Sequence, residues 1–158
     1  QTATSSTAYR HWQTDTDIDG VLWLTLDREG EKTNSLSQDV LEELEQIITE
    51  VEKSPPVGMI LLSGKPGSFI VGADIREFDQ VEDTETARNF IQRVHQLFNR
   101  IENLSFPTAV GIEGYCLGGG LELALCFDYR IAKESGNAAT RLRRAAVNSV
   151  MPPRAADR

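Results

Sequence analysis

Hydrophobic positions follow two different patterns along this chain. Over residues 36–51, and again over roughly Thr84 to Ile101, apolar side chains recur every three or four positions, which predicts two long amphipathic helices. Four short runs lack this period and are rich in β-branched, aromatic or other apolar residues, so we expect strands there. These runs are Val21–Leu26, Gly58–Leu62, Thr108–Ile112 and Asp128–Ala132. The alternation of strands and helices predicts an α/β fold with a largely parallel sheet.

The boundaries of these elements carry further signals. Ser35 is a suitable N-cap for the first long helix, because Gln38 stands three residues further on as the reciprocal partner of a capping box. The run Gly58–Leu62 has no polar alternation, which predicts a strand covered on both faces. A shorter helix is expected over Leu121 to Phe127, directly after a cluster of glycines.

Length and charge narrow the class of protein. The 158 residues suit a single domain, and neither an internal repeat nor a linker divides them. The net charge of −8 argues against nucleic acid as a partner, because binding phosphates needs a basic face. The charge is uneven, since residues 141–158 hold five arginines and one acid. This basic segment differs in composition from the acidic remainder.

Several other classes of site are not supported. Two cysteines, Cys116 and Cys126, lie in apolar surroundings and are expected to be reduced, buried thiols. The two histidines, His11 and His95, have no neighbours at metal-ligand spacing, so no metal site is expected. No apolar run is long enough for a membrane span, and the N-terminal residues lack the order of a signal peptide. A cytoplasmic location is expected for a bacterial chain, or the mitochondrial matrix for a eukaryotic one.

The most unusual feature is the triplet Gly118–Gly120 in front of a predicted helix. Glycines there allow close approach to main-chain N–H groups at the positive end of the helix dipole, a setting for a developing negative charge. The alternative is structural: a turn that needs positive φ or tight packing. Glu122 follows in the first helical turn, where it either compensates the dipole or acts as a partly buried general acid or base. The spacing matches neither a dinucleotide-binding fingerprint nor a P-loop.

A second segment of interest is Gly72-Ala73-Asp74, where a predicted strand gives way to a loop or helix. Its backbone could supply another N–H donor, while Asp74 could equally be an N-cap. Arg76 is close enough in sequence to meet a phosphate, although a solvated arginine is the commoner case.

Together these motifs resemble the crotonase (enoyl-CoA hydratase/isomerase) superfamily. Ser68–Ile75 resembles its first oxyanion-hole segment, Ala109–Ala124 its second, and Asp128–Ala132 the strand that follows. Gly30–Leu36 looks like the upstream loop and helix start. The resemblance covers about residues 17–135 and is strongest to the hydratase portion at the N-terminus of the multifunctional fatty-acid β-oxidation α-subunit. It implies a repeated β-β-α spiral with a mostly parallel sheet, incomplete at the C-terminus.

The resemblance also implies roles for individual residues. The amides matching Ala73 and Gly119 would hold the thioester oxygen of an acyl-CoA, and the glutamate matching Glu122 would act on the attacking water. The implied substrate-binding residues are Ala73, Asp74, Ile75, Arg76, Gly118 and Gly119. No cofactor is implied, because coenzyme A is part of the substrate, and the implied partners are an acyl-CoA and either a homo-oligomer or a parent multifunctional complex.

The implied activity is reversible hydration of trans-2-enoyl-CoA, but the sequence departs from the pattern at one point. A second family glutamate would fall near Leu142, inside the arginine-rich segment. We therefore expect a polar lead-in over residues 1–16, a partial acyl-CoA domain over 17–135 and an atypical tail over 136–158, in a C-terminally truncated chain. An enoyl-CoA delta-isomerase, or a non-catalytic acyl-CoA binder or inactive fragment, remain as alternatives.

Overall fold

The structure is a computed structural model that describes residues 8–73 and 83–133. Those residues form seven strands and three helices. The strands are β1 (Trp12–Thr16), β2 (Val21–Leu26), β3 (Gly58–Ser63), β4 (Ser68–Ile70), β5 (Thr108–Ile112), β6 (Tyr115–Cys116) and β7 (Tyr129–Ala132). The helices are α1 (Gln38–Lys53), α2 (Thr84–Glu102) and α3 (Gly119–Leu125).

The strands form two sheets that confirm the predicted α/β class. The larger sheet has the order β1-β2-β3-β5-β7; its first pair is antiparallel and the other three pairs are parallel. Strands β4 and β6 form a separate parallel pair. No helix among the described residues combines the length and the apolar character needed to cross a membrane.

The first helix begins two residues later than its predicted cap requires. Ser37, not Ser35, is the N-cap, and its hydroxyl accepts a hydrogen bond from the Val40 amide. Ser35 is engaged elsewhere, because its hydroxyl accepts a hydrogen bond from the Arg28 guanidinium. Leu36 in turn pairs with the chain near residue 73 in a β-bridge, so the backbone cannot become helical before residue 37.

Strand β1 lies within the segment that the sequence marks as a polar lead-in. Its first residue, Trp12, is 2% exposed, and the indole N–H donates to the Val40 carbonyl of α1 at 3.0 Å. The rest of the strand is polar because it pairs on one side only, antiparallel to β2, at the edge of the sheet. A single buried tryptophan therefore anchors a strand that has little hydrophobic pattern of its own.

The two faces of the large sheet differ in burial. Leu24, Leu61 and Val110 lie on the face that α1 and α2 help to cover, and each is almost fully buried. The opposite face carries the row Trp23-Ile60-Ala109-Tyr129, set by the strand register. Within the described residues this face is only partly covered, since Trp23 is 37% and Tyr129 48% exposed. Ile60, the β3 residue in this row, is half-buried, so the expected cover on both faces of β3 is found only in part.

The two cysteines also differ from one another. Cys116 is buried in the core, as expected, whereas Cys126 is only half-buried. Neither forms a disulfide among the described residues. The Cys126 side chain lies at the end of α3, where its Sγ is 3.3 Å from the Glu122 carbonyl oxygen.

Candidate functional site

The first candidate segment is placed by main-chain hydrogen bonds to the loop that precedes α1. The Val71 amide donates to the Asn34 carbonyl at 2.9 Å, and the Leu36 amide donates to the Gly72 carbonyl at 2.8 Å. Leu36 and Ala73 form a parallel β-bridge. The chain from residue 71 to Ala73 is thus held as a short extended segment along residues 34–36.

In the second candidate segment, Gly118–Gly120, the surroundings of the three glycines differ. Gly118 has φ +50° and ψ −122°, a conformation that side chains disfavour. A Cβ on Gly120 would lie 2.6 Å from the Ile70 carbonyl oxygen, so this glycine lets α3 pack against β4. A Cβ on Gly119 would lie 3.8 Å from the Ala73 nitrogen, so this glycine keeps space open between the two segments.

Helix α3 consequently begins at Gly119 and not at the predicted Leu121. Two of the three glycines belong to its first turn, because the Gly120 amide donates to Leu117 and the Glu122 amide donates to Gly118. Positive φ explains Gly118 and tight packing explains Gly120, as the structural interpretation of the triplet predicts. Neither requirement explains Gly119, and the functional interpretation stays a prediction.

Two main-chain N–H groups remain available at this gap. Among the described residues, neither the Ala73 amide nor the Gly119 amide donates a hydrogen bond to a protein acceptor. The Ala73 amide is not used by the β-bridge, whose bond on this side comes from the Leu36 amide. The structure therefore brings together the two residues that the sequence predicts as oxyanion donors, at the start of a helix where the main chain carries partial positive charge.

Glu122 lies in the first turn of α3, as predicted. Its side chain is exposed and makes no hydrogen bond or ion pair to the residues that the structure describes. The expectation of partial burial is therefore not met. In this position its carboxylate compensates the helix dipole and is also free to approach a ligand in the gap.

Of the other residues predicted to bind the substrate, only Gly118 lies within the described part of the chain. Gly118 lies beside the gap, its conformation setting the turn that leads to Gly119. Asp74, Ile75 and Arg76, predicted to bind the substrate, lie outside the described residues.

Sequence reasoning missed the residues that hold the site together. Asn34 is completely buried. The side chain of Leu36 lies against Gly119, and its Cδ1 is 3.3 Å from the position that a Cβ on Gly119 would occupy. The sequence pattern counts Leu36 as the first apolar position of the helix, which in fact begins at Gln38, and Asn34 belongs to no periodic pattern. The only signal for Asn34 is a polar residue that the resemblance places in the loop before the first helix.

Known protein families and sequences match most of this chain. The family model described as enoyl-CoA hydratase/isomerase matches residues 16–144. The fatty acid oxidation complex subunit alpha of Aliivibrio fischeri is 40% identical over 120 residues, which is 75% of this chain and 18% of that protein. The corresponding subunit of Idiomarina loihiensis is 39% identical over 122 residues, 77% of this chain and 17% of that protein.

Solved structures show the same similarity at the level of the fold. The enoyl-CoA hydratase of Bacillus anthracis superposes with a TM-score of 0.72 at 33% identity, covering 80% of this chain and 48% of that chain. The enoyl-CoA hydratase of Thermoplasma volcanium superposes with a TM-score of 0.69 at 28% identity, covering 78% and 48%. The present chain thus spans about half of these solved chains and less than a fifth of the curated relatives.

Proposed function

This chain belongs to the enoyl-CoA hydratase/isomerase family, and we propose that its gap between Ala73 and Gly119 binds the thioester carbonyl of an enoyl-CoA for reversible hydration. The observation that carries the proposal is the pair of unused amides on facing segments. Two N–H donors preorganised at one point stabilise the negative charge that develops on a carbonyl oxygen, and removing a single such donor costs about 3–4 kcal/mol in known enzymes.

In the proposed reaction Glu122 takes a proton from water while the water oxygen forms a bond to the β-carbon of the trans-2-enoyl-CoA. The electron pair of the double bond moves toward the thioester, whose oxygen bears the enolate charge between the amides of Ala73 and Gly119. The proton that Glu122 has accepted is then passed to the α-carbon, which gives 3-hydroxyacyl-CoA and restores the carboxylate. The exposed position of Glu122 leaves its carboxylate accessible to the water.

The segment after Ala73 completes the proposal. We assign Asp74, Ile75 and Arg76, with Gly118, to contacts with the coenzyme A portion of the substrate, following the resemblance. Because the two relatives described above are named alpha subunits of a fatty acid oxidation complex, we also propose that the site serves fatty-acid β-oxidation within such a subunit in the cytoplasm.

Delta-isomerisation is a second candidate, favoured by one specific observation. The second glutamate that the resemblance expects would fall near Leu142, and residues 141–146 contain no acidic residue. Hydration needs both water activation and α-carbon protonation, whereas moving a double bond transfers one proton between two carbons and can be served by a single acid–base group. In that case Glu122 would shuttle the proton while the same two amides stabilise the enolate.

The test is the ultraviolet absorbance of a short trans-2-enoyl-CoA incubated with the protein and three variants. Wild type should remove the conjugated-thioester band. The variant Glu122→Gln should slow this loss about 100-fold or more, because it removes the general base. Gly119→Ala should slow it by a similar factor, because its methyl group would fill the space in front of the Ala73 nitrogen. Glu102→Gln, an exposed glutamate at the end of α2, is the matched control and should hydrate normally.

Other outcomes separate the alternatives. Absence of band loss in wild type would contradict hydration, and a cis-3-enoyl-CoA that then gained a conjugated band would identify an isomerase. Thermal stabilisation by enoyl-CoA without turnover of either substrate would identify a binder. Equal rates for wild type and Glu122→Gln would remove Glu122 from the mechanism.

A further inference from the structure

Asn34 is a fully buried polar side chain whose carboxamide is bonded on both sides. It is 0% exposed. Its Oδ1 accepts from the Arg28 amide at 2.9 Å, and its Nδ2 donates to the Leu26 carbonyl at 2.7 Å and to Ser63 Oγ at 2.9 Å. Such complete satisfaction of a buried amide fixes its position, since any change of rotamer would leave polar groups without partners.

These bonds connect the carboxyl ends of two neighbouring strands to one loop. Leu26 ends β2 and Ser63 ends β3, and the two are paired in the sheet register. Asn34 therefore attaches its loop to the rigid part of the sheet. Ser63 is itself held, because its hydroxyl donates to the Ser68 carbonyl at 2.6 Å at the start of β4.

The main chain of the same residue reaches the candidate site. Its carbonyl accepts from the Val71 amide, and two residues later Leu36 pairs with Gly72 and Ala73. The carboxamide and the carbonyl of Asn34 thus form a continuous connection from the ends of β2 and β3 to the segment that ends at Ala73. None of these bonds involves the Ala73 amide itself, which stays available for a ligand.

We propose that Asn34 is a positioning residue that holds the Ala73 amide in its donating geometry, an inference that rests on the proposed function. The residue does not touch the substrate. It acts by fixing the loop of residues 34–36, against which the backbone of residues 71–73 is hydrogen-bonded. A displacement of about 1 Å in such a donor can cost about 100-fold in rate. The carboxamide is required because it gives the Arg28 amide its acceptor and, through the Leu26 carbonyl, ties the loop to the end of β2; that carbonyl also accepts from the Gly64 amide.

A matched control exists at the opposite end of the sheet. Thr108 begins β5 and is also buried, and its hydroxyl accepts from the Asp128 amide at 3.0 Å while its own amide donates to the Asp128 carboxylate at 2.9 Å. The hydrogen bonds between these two residues join the start of β5 to the residue before β7 and do not include residues 34–36 or 71–73. Thr108→Val should therefore destabilise the fold without moving the Ala73 amide.

The experiment uses the absorption spectrum of a bound dienoyl-CoA, because a conjugated thioester absorbs at longer wavelength when its carbonyl is polarised. The shift is measured at saturation, together with the Kd and the thermal midpoint of each variant. Asn34→Ala should lose most of the shift while still binding the coenzyme A portion. Thr108→Val should lower the thermal midpoint and keep the full shift. A role in stability alone would change the midpoint but not the shift of the bound ligand.

A second variant covers the case in which Asn34→Ala does not fold. Ser63→Ala removes one of the two acceptors of the Asn34 carboxamide and leaves its bonds to Leu26 and Arg28. It should lose part of the shift. A full wild-type shift in folded Asn34→Ala, or in Ser63→Ala where Asn34→Ala cannot be obtained, would overturn the positioning role alone. Wild type that binds the ligand without any shift would overturn the proposed oxyanion site and, with it, this inference.

Discussion

The segment that ends at Ala73 and the turn that begins at Gly118 present main-chain amides to the same gap, yet different interactions hold them. The Ala73 segment depends on hydrogen bonds that lead back to a buried carboxamide, Asn34. The glycine turn depends on the absence of side chains, because Gly120 packs against Ile70 and Gly118 has a positive φ. The Ala73 segment thus depends on hydrogen bonds between polar groups, and the glycine turn depends on residues that have no side chain.

The difference determines what each side tolerates. A hydrogen-bonded segment fails when a donor or acceptor is removed, because the partner left behind remains buried without compensation. A packed glycine turn fails when atoms are added, because backbone and core side chains cannot move aside without strain. The following predictions use substitutions that violate one of these requirements at a time.

The largest effect is expected for Gly120→Ala. The added Cβ would lie 2.6 Å from the Ile70 carbonyl oxygen and 2.7 Å from the Ile70 Cβ, and Ile70 is fully buried. Helix α3 must move away from β4, which should cost about 3 kcal/mol or more in the free energy of unfolding. Urea denaturation measures the loss.

The adjacent glycine provides the control for that substitution. In Gly119→Ala the nearest atom to the new methyl is the Leu36 Cδ1, at 3.3 Å, at the end of a side chain. Its stability should remain within about 1 kcal/mol of wild type, since alanine favours the helical conformation that Gly119 adopts. Equal destabilisation by the two substitutions would contradict the separate roles assigned to these glycines.

A smaller effect is expected for Gly118→Ala, which adds backbone strain and not a steric clash. The Cβ would meet only the Gly72 Cα at 3.8 Å, but φ +50° with ψ −122° is unfavourable for alanine. The expected cost is about 1–3 kcal/mol in thermal or urea unfolding. Any relief of that strain turns the Gly119 amide, so enoyl-CoA hydration should fall as well.

The variant Gly30→Ala separates the loss of stability from the loss of hydration activity. Gly30 has φ +76° and no atom within 4 Å of its Cβ position. It should also lose stability, by about 1–2 kcal/mol, because alanine is disfavoured in the left-handed region. Its hydration rate should not change, because the strain is not transmitted to Gly119. Loss of activity in Gly30→Ala would show that general destabilisation explains both results.

Much of the fold could be predicted from hydrophobic periodicity. Helix α2 and strand β5 begin where the pattern places them, because both expose one face and bury the other. Strand β1 could not be found in this way, since its only buried hydrophobic residue is Trp12. The start of α1 depends on tertiary structure, because the Ser35 hydroxyl is hydrogen-bonded to the Arg28 guanidinium and does not cap the helix.

The two segments of the site also differ in how far the sequence predicts them. The Gly118–Gly120 triplet is conspicuous in the sequence because three adjacent glycines are costly in an ordinary helix. Asn34 carries no such mark, since its importance comes from atoms of β2 and β3 that are distant in sequence. The pairing of Ala73 with Gly119 was predicted only through the family resemblance, because periodicity contains no information about which loops meet. The roles of these residues and of Glu122 remain predictions.

The smallest effect concerns Asp39, in the first turn of α1. Partial burial by itself raises the pKa of Asp39, but hydrogen bonds from the Ser37 hydroxyl and from His11 outweigh it and lower the pKa to about 2. The His11 Nδ1 accepts from the Glu29 amide, so its Nε2 carries the proton donated to Asp39 at 2.9 Å. These bonds favour the charged carboxylate in the folded state.

A lowered pKa in the folded state fixes the sign of the pH dependence. The stabilisation by Asp39 is fully present above its unfolded pKa of 3.8 and is lost as the pH falls from about 4 to about 2. Because this side chain is 47% exposed, solvent screening limits the contribution to about 1 kcal/mol. Asp39→Asn should therefore be less stable than wild type by about that amount at about pH 6, and the difference should shrink near pH 2. Urea unfolding at both pH values measures it, and a gap that stayed constant would mean that the charge of Asp39 does not stabilise the start of α1.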